Sequence, residues 1–243
     1  LPYFKKRDKL AAGRVDHFIG ISETTRKAIK TTYDRDADVL YCPIDFDRFS
    51  PGIKEDKQTH YLIVSRLERW KQLEYAIEAF NQLGLPLRVV GAGDDEDRLQ
   101  ALAGPNVQFL GAVDDATLVR EYGQARAVIF PPALEYGLVP LEACATGTPV
   151  IAIGIGGVTE TMIPTDAKTR QSPTAVFYYE PTAEALMAAV RDFEGMTFDR
   201  QSLANHARDF DIPKFKKALR HKVEEQWATY SGNQRARTLA REV

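Results

Sequence analysis

Between Pro131 and Ala152 the chain reads PPALEYGLVPLEACATGTPVIA, with two carboxylates, Glu135 and Glu142, seven residues apart and Gly137 between them. Pro140 suits the first turn of a helix, where the proton that proline lacks would have no intrahelical acceptor. The amides of Leu138 and Val139 then lie at the positive end of the helix dipole and can hold an anion such as a phosphate. Gly137 lets the backbone approach a ligand closely. One turn on, the carboxylate of Glu142 can accept hydrogen bonds from both hydroxyls of a ribose diol. The bland alternative is that both acids are ordinary helix-start residues favoured by the dipole. A second chemical group lies in SRLERWK, which puts Arg66 and Lys71 in one loop. Arginine as a fork and lysine as a point charge can neutralise a diphosphate, unless the loop is simply a solvated basic one. GAGDD, with Gly91 and Gly93, allows a tight turn. It lacks the G-x-G-x-x-G spacing, so as a dinucleotide signature it is weak.

These loops need elements to position them. From His60 onward, short β-rich runs (YLIVSR, LRVVGAG, VQFLGA, AVIFPP, PVIAIG, AVFYYE) alternate with helical segments. Leu73, Ile77, Phe80 and Leu83, and later Leu186, Val190 and Phe193, recur every three or four residues. Strands that are apolar throughout suit a parallel sheet covered on both faces. Six strand–helix repeats predict a Rossmann-like, doubly wound parallel α/β sheet, in which ligands bind at the carboxyl ends of the strands. Both chemical groups fall at such ends.

The first fifty residues predict a smaller piece: a basic helix around Phe4–Arg14, a strand in HFIGIS, a helix capped by Ser22 and a strand in DVLYC. Two strands and two helices cannot bury their own faces, so this reads as the remnant of a second α/β domain whose earlier strands are absent. The expected boundaries are 1–52, 53–196 and 197–243. In the last segment Phe215, Leu219, Val223 and Trp227 form an apolar stripe, with Lys214, Lys216, Lys217 and Arg220 at its start. It predicts a helix packed on the domain, or else a basic helix at a membrane surface. The closing SGNQRARTLAREV is polar and expected to be mobile.

Composition excludes several classes. The 243 residues are 44% hydrophobic, enough for a sizeable core. A net charge of −2 and a pI near 6.2 provide no basic field for nucleic acid. No apolar run reaches membrane-spanning length and no signal peptide precedes the first strand, which predicts a cytoplasmic protein, with peripheral contact at the inner membrane face as its one membrane option. Cys42 and Cys144 form neither a disulfide framework nor a metal spacing and read as buried small apolar residues. His17, His60, His206 and His221 are scattered without ligand spacing and read as structural or surface residues.

The segments VSRLERWKQLEYAIEAFNQLGLPLRVVGAGDDEDRL, NVQFLGAVDDATLVREYGQARAVIFPP, YGLVPLEACATGTPVIA and GGVTET together resemble the carboxy-terminal domain of family 4 retaining glycosyltransferases. The likeness runs from about Asp16 to Phe193 and is strongest for mannosyltransferase-type members. It implies the two-domain GT-B fold, with the nucleotide-sugar in the carboxy-terminal domain and the acceptor mainly in the amino-terminal one. By resemblance, Arg66 and Lys71 bind the donor diphosphate, and the amides of Leu138 and Val139 face phosphate. Glu142 holds the ribose, and Phe109, Leu110 and Gly111 lie along the base. The implied reaction is transfer of a hexose, foremost mannose from GDP-mannose, to a saccharide or lipid-linked acceptor with retention of configuration. The resemblance implies no metal and no further cofactor.

Two departures stand out. The family's first motif Glu lies three residues before the glycine, where this chain has Leu134, so Glu135 must reach the donor sugar through a shifted loop or that contact is lost. Most of the family's amino-terminal domain also has no counterpart here. A nucleotide-sugar-binding module without catalysis in this chain is therefore the alternative. A Rossmann oxidoreductase would need a G-x-G-x-x-G that the first helix lacks.

Overall fold

The computed structural model describes residues 2–57, 59–166 and 171–239. They divide into two compact units, one of Leu1–Pro43 with Asp211–Val243 and one of Ile44–Phe210.

The larger unit holds six parallel strands: β3 (Tyr61–Val64), β4 (Leu87–Val90), β5 (Val107–Gly111), β6 (Val128–Phe130), β7 (Val150–Ile153) and β8 (Ala175–Tyr178). Each lies in one of the six runs marked out by sequence. Their order across the sheet is β5-β4-β3-β6-β7-β8. The chain therefore builds outward from β3 to one edge, returns, and builds from β6 to the other. The helices of this unit are α3 (Phe46–Phe49), α4 (Glu74–Leu83), α5 (Glu96–Leu102), α6 (Asp115–Gln124), α7 (Val139–Ala145), α8 (Val158–Thr161), α9 (Ala183–Glu194) and α10 (Arg200–Ala207).

Side-chain alternation explains the uninterrupted apolar strands. Tyr61, Ile63, Ile129 and Ile151 enter one core with α4 and α9 residues such as Ile77, Phe80, Leu186 and Val190. Their neighbours Leu62, Val128 and Val150 enter a second core with Leu141, Cys144 and Leu203. Both faces of the sheet are covered, and the central strands β3, β6 and β7 are accordingly apolar at every position.

The smaller unit contains α1 (Pro2–Ala12), β1 (Phe18–Gly20), α2 (Glu23–Tyr33), β2 (Ala37–Val39) and α11 (Ile212–Leu239), with β1 and β2 paired in parallel. Ser22 caps α2 as expected, its hydroxyl accepting from the Thr25 amide at 2.9 Å. The Lys222 ammonium of α11 donates to the Asp38 carboxylate of β2 at 2.9 Å. That ion pair is the largest cause holding the Asp38 carboxyl below its usual range.

The units part elsewhere than at the expected 52 and 196. Phe46 and Phe49 are buried in the second core of the larger unit, and so are Leu203 and Ala204 of α10. The divisions therefore fall after Pro43 and after Phe210, and α11 joins the first residues rather than standing apart. The stripe on α11 starts half-buried at Phe215 and Leu219 and becomes exposed at Val223 and Trp227. The helix also takes in most of the tail expected to be mobile, whose residues 240–243 lie outside the described ones. Cys144 is fully buried; Cys42 is only half-buried, short of the expectation. No described helix is long and apolar enough to cross a membrane.

Candidate functional site at the switch point

Strand order reverses between β3 and β6. The connections leaving these two neighbours run to opposite faces of the sheet, which opens a crevice at their carboxyl ends. The loop carrying Arg66 and Lys71 follows β3, and the loop carrying Glu135 and Gly137 follows β6. Topology thus sets the two chemically suggestive stretches on either side of one crevice.

The β3 loop is tightly held. Leu67 is fully buried, its amide donates to the Ala92 carbonyl at 3.0 Å, and its carbonyl accepts from the Asp95 amide at 2.9 Å. The GAGDD segment supplies this docking surface. A Cβ at Gly91 would stand 1.8 Å from the Ser65 carbonyl oxygen, and one at Gly93 would stand 2.3 Å from that of Leu67. The two glycines exist for backbone-to-backbone approach. Beyond Leu67 comes a 3-10 turn, Arg69–Lys71, ending at Gln72 in the left-handed region and at the buried Leu73.

Trp70 projects from this turn, 55% exposed. The Lys71 ammonium lies 4.2 Å and the Arg66 guanidinium 6.0 Å from the centroid of its ring. The structure therefore brings the two predicted cations together around an aromatic ring. Burial, and then the Arg66 charge, push the Lys71 ammonium below its usual pKa, while Glu68 partly opposes them. A binding anion would relieve that cost.

The β6 loop is pinned to the turn after β7. Leu134 forms a parallel bridge with Gly156, and the Gly157 amide donates to the Leu134 carbonyl at 2.8 Å. The Leu134 side chain packs against the second core, whereas Glu135, next along, is exposed. Gly137 needs a correction. It is buried, and a Cβ there would fall 2.6 Å from the Phe130 ring. Its missing side chain makes room for Phe130, not for a ligand. Leu138 precedes α7, Val139 opens it, and proline stands in the first turn as expected.

Glu142 is half-buried in α7 and accepts a hydrogen bond from the Tyr122 hydroxyl at 2.8 Å. Burial raises its carboxyl pKa, while the Tyr122 bond and the Arg48 charge act in the opposite direction. Phe109, Leu110 and Gly111 end β5 and are half-buried. Phe109 packs against one core and Leu110 against the other, so what this segment offers a ligand is backbone. It reaches the same edge through the Gly91 amide, which donates to the Gly111 carbonyl at 2.8 Å. Sequence reasoning passed over Tyr122, Arg48 and Trp70. Only the tryptophan, beside Lys71, carried a local signal.

Glu142 has a testable cost. A carboxyl whose folded pKa is raised favours the fold below its unfolded pKa and loses that contribution as pH rises through the folded value. At pH 7, above the ordinary glutamate range, the half-buried Glu142 carboxyl is thus a burden on the fold. Glu142→Gln keeps an acceptor for Tyr122 and is expected to raise stability at pH 7 by about 0.5–2 kcal/mol. The gap should close as the medium is acidified toward pH 4.5, the ordinary glutamate value. Chemical denaturation of both proteins at pH 4.5, 5.5 and 7 checks this, and a gap independent of pH would refute it.

A parallel sheet of this order, with cations and a helix start at its switch point, defines the Rossmann-like class of α/β domains. More narrowly, the chain belongs to the glycosyl transferases group 1 family, whose sequence profile matches residues 13–210. An uncharacterized glycosyltransferase of Methanocaldococcus jannaschii is 37% identical over 127 residues, covering 48% of this chain and 32% of the relative. Alpha-1,3/1,6-mannosyltransferase ALG2 of Dictyostelium discoideum is 31% identical over 157 residues, covering 52% and 36%. The chain thus spans about a third of the length of these curated relatives. Among solved structures, Anabaena HepE in complex with UDP and glucose superposes with a TM-score of 0.69 at 18% identity, over 88% of this chain and 64% of that one. At that identity the likeness is one of fold, the Rossmann-like half of a GT-B glycosyltransferase.

Proposed function

We propose that this chain carries the donor side of a retaining family 4 glycosyltransferase. It would transfer a hexose, foremost mannose from GDP-mannose, to a saccharide or lipid-linked acceptor. The observation that carries the reading is the pairing of Arg66 and Lys71 with the start of α7 across one switch-point crevice. A nucleoside diphosphate is the leaving group whose charge such a site suits. Arg66, Lys71 and the amides of Leu138 and Val139 stabilise it as the glycosidic bond opens. The growing positive charge on the sugar is met by the departing diphosphate, so the protein need supply little general base. Glu142, oriented by Tyr122, accepts from the ribose hydroxyls. Glu135 faces the hexose. Its exposure beside a core-packed Leu134 supports a shifted contact over a lost one. Mannose is favoured by the likeness to a mannosyltransferase, but HepE binds UDP and glucose, so uridine nucleotides belong in the test.

Calorimetric titration of GDP, GMP, GDP-mannose, UDP and UDP-glucose tests the assignment. GDP is expected to bind more tightly than GMP. Glu142→Ala should weaken GDP and GDP-mannose alike, by about 1.5–2 kcal/mol, because both carry the same ribose. Glu135→Ala should weaken only the nucleotide-sugar. Equal affinity for GDP and GMP would remove the diphosphate site, and equal losses from Glu135→Ala would show that Leu134 marks an abandoned sugar contact.

A further inference from the structure

An exposed tryptophan in a loop otherwise pinned by buried leucines needs an explanation. Trp70 leaves more than half of its surface in water while Leu67 and Leu73 on either side are buried. It stands on a short turn closed by Gln72 in the left-handed region, at φ 53°, a conformation that non-glycine residues hold only where the surroundings enforce it. Two cations, Arg66 and Lys71, crowd its ring, and Lys71 does so against the cost of burial beside another positive charge. The negative face of the ring is a partner for both cations, beside the Glu68 charge that also acts on Lys71.

We propose that Trp70 is a hexose-contacting residue: its indole face packs against the sugar ring of a nucleotide-sugar once the diphosphate has drawn Arg66 and Lys71 away. This rests on the donor-site reading above. A cation over an exposed ring is held less strongly than the same cation in charge-assisted hydrogen bonds to phosphate oxygens, so a diphosphate wins both side chains from the indole. The freed ring then lies within a side chain's reach of the cations holding the diphosphate. The group joined to the terminal phosphate is the hexose. Pyranose rings carry an apolar C–H face, and an indole offers the largest flat apolar surface among side chains, with a negative quadrupole suited to polarised C–H groups. The contact would add affinity to the sugar conjugate and little to the bare diphosphate.

The chain has two tryptophans, Trp70 and Trp227, so in a Trp227→Phe background the fluorescence belongs to Trp70 alone. GDP and UDP are expected to change its emission as the cations leave the ring, and GDP-mannose or UDP-glucose to shift it further. In calorimetry, Trp70→Ala should weaken the preferred nucleotide-sugar at least tenfold while leaving its nucleoside diphosphate within threefold, and Trp70→Phe should recover much of the loss. Retained diphosphate binding also shows that the variant is folded. Equal losses for diphosphate and conjugate, or none for either, would overturn the hexose contact while leaving the donor site in place. Failure of every nucleotide to bind the unsubstituted protein would overturn both.

Discussion

Replacing Arg66 and Lys71 together by alanine is expected to weaken GDP binding by about 3–5 kcal/mol, or two to four orders of magnitude. Each cation alone should be worth about 1.5–3 kcal/mol as a charge-assisted partner of the diphosphate. The pair shares one ring and one ligand, so the two losses will not add fully. GMP, with one phosphate, should lose less. Raising the salt concentration should weaken GDP binding by the unsubstituted protein more than by the double variant, because screened charge is what was removed. The fold should respond in the opposite direction. Arg66 is exposed, and the Lys71 charge is disfavoured by burial and by Arg66, so the double variant should melt no lower than its parent. A double variant that binds GDP normally would exclude this loop from the site. One that melts far lower would show the cations to be structural.

The second large effect belongs to Gly91. Gly91→Ala is expected to destabilise the chain by about 3–5 kcal/mol, combining backbone strain with the displacement of packed neighbours. The backbone there has φ 131°, and the added carbon would meet the Ser65 carbonyl at 1.8 Å, with no flexible side chain to give way. Ser65 must move, and its amide's 3.0 Å bond to the Val90 carbonyl must lengthen. Arg66 follows directly, so GDP affinity should fall with stability. Gly84 is the control: it also has positive φ, at 67°, but a Cβ there meets nothing within 4 Å. Gly84→Ala should therefore cost only about 1–2 kcal/mol, the left-handed strain itself. Denaturant midpoints for the two variants separate the contributions, and similar losses would show that the close approach of β3 and β4 loops does not matter.

The sheet was legible because its physics is local. A strand buried on both faces must be apolar at every position, and YLIV, VIF and VIAI announce that without help from distant residues. Placing Arg66, Lys71 and Glu142 at strand ends needed only the order of elements. What escaped depended on contacts between residues far apart in the chain. Tyr122 reaches Glu142 across 20 positions, and neither residue's neighbours announce the bond. Gly137 was read as room for a ligand because Phe130, which fills that room, ends the preceding strand and projects its ring by tertiary packing. Pro51 and Gly52, beside the expected boundary at 52, look like chain breakers. Gly52 is in fact buried, its missing side chain leaving space for Thr146 and the Val119 carbonyl.

The return of α11 to the smaller unit bears on the order in which the chain can be assembled during synthesis. Ile44–Phe210 is one uninterrupted run and holds all six strands of its sheet, so the larger unit can fold as soon as it has emerged. The β1–β2 pair precedes the larger unit in the chain, whereas Lys222, the partner of Asp38, follows it. At about 5–20 residues per second, β1 and β2 wait on the order of ten to forty seconds for that partner. During that interval Ile19 and Ile21, exposed even in the finished unit, are the natural ground for a chaperone or for misassembly between nascent chains. A ribosome that stops short of Ile212 would therefore release a sound larger unit tethered to an unclosed smaller one.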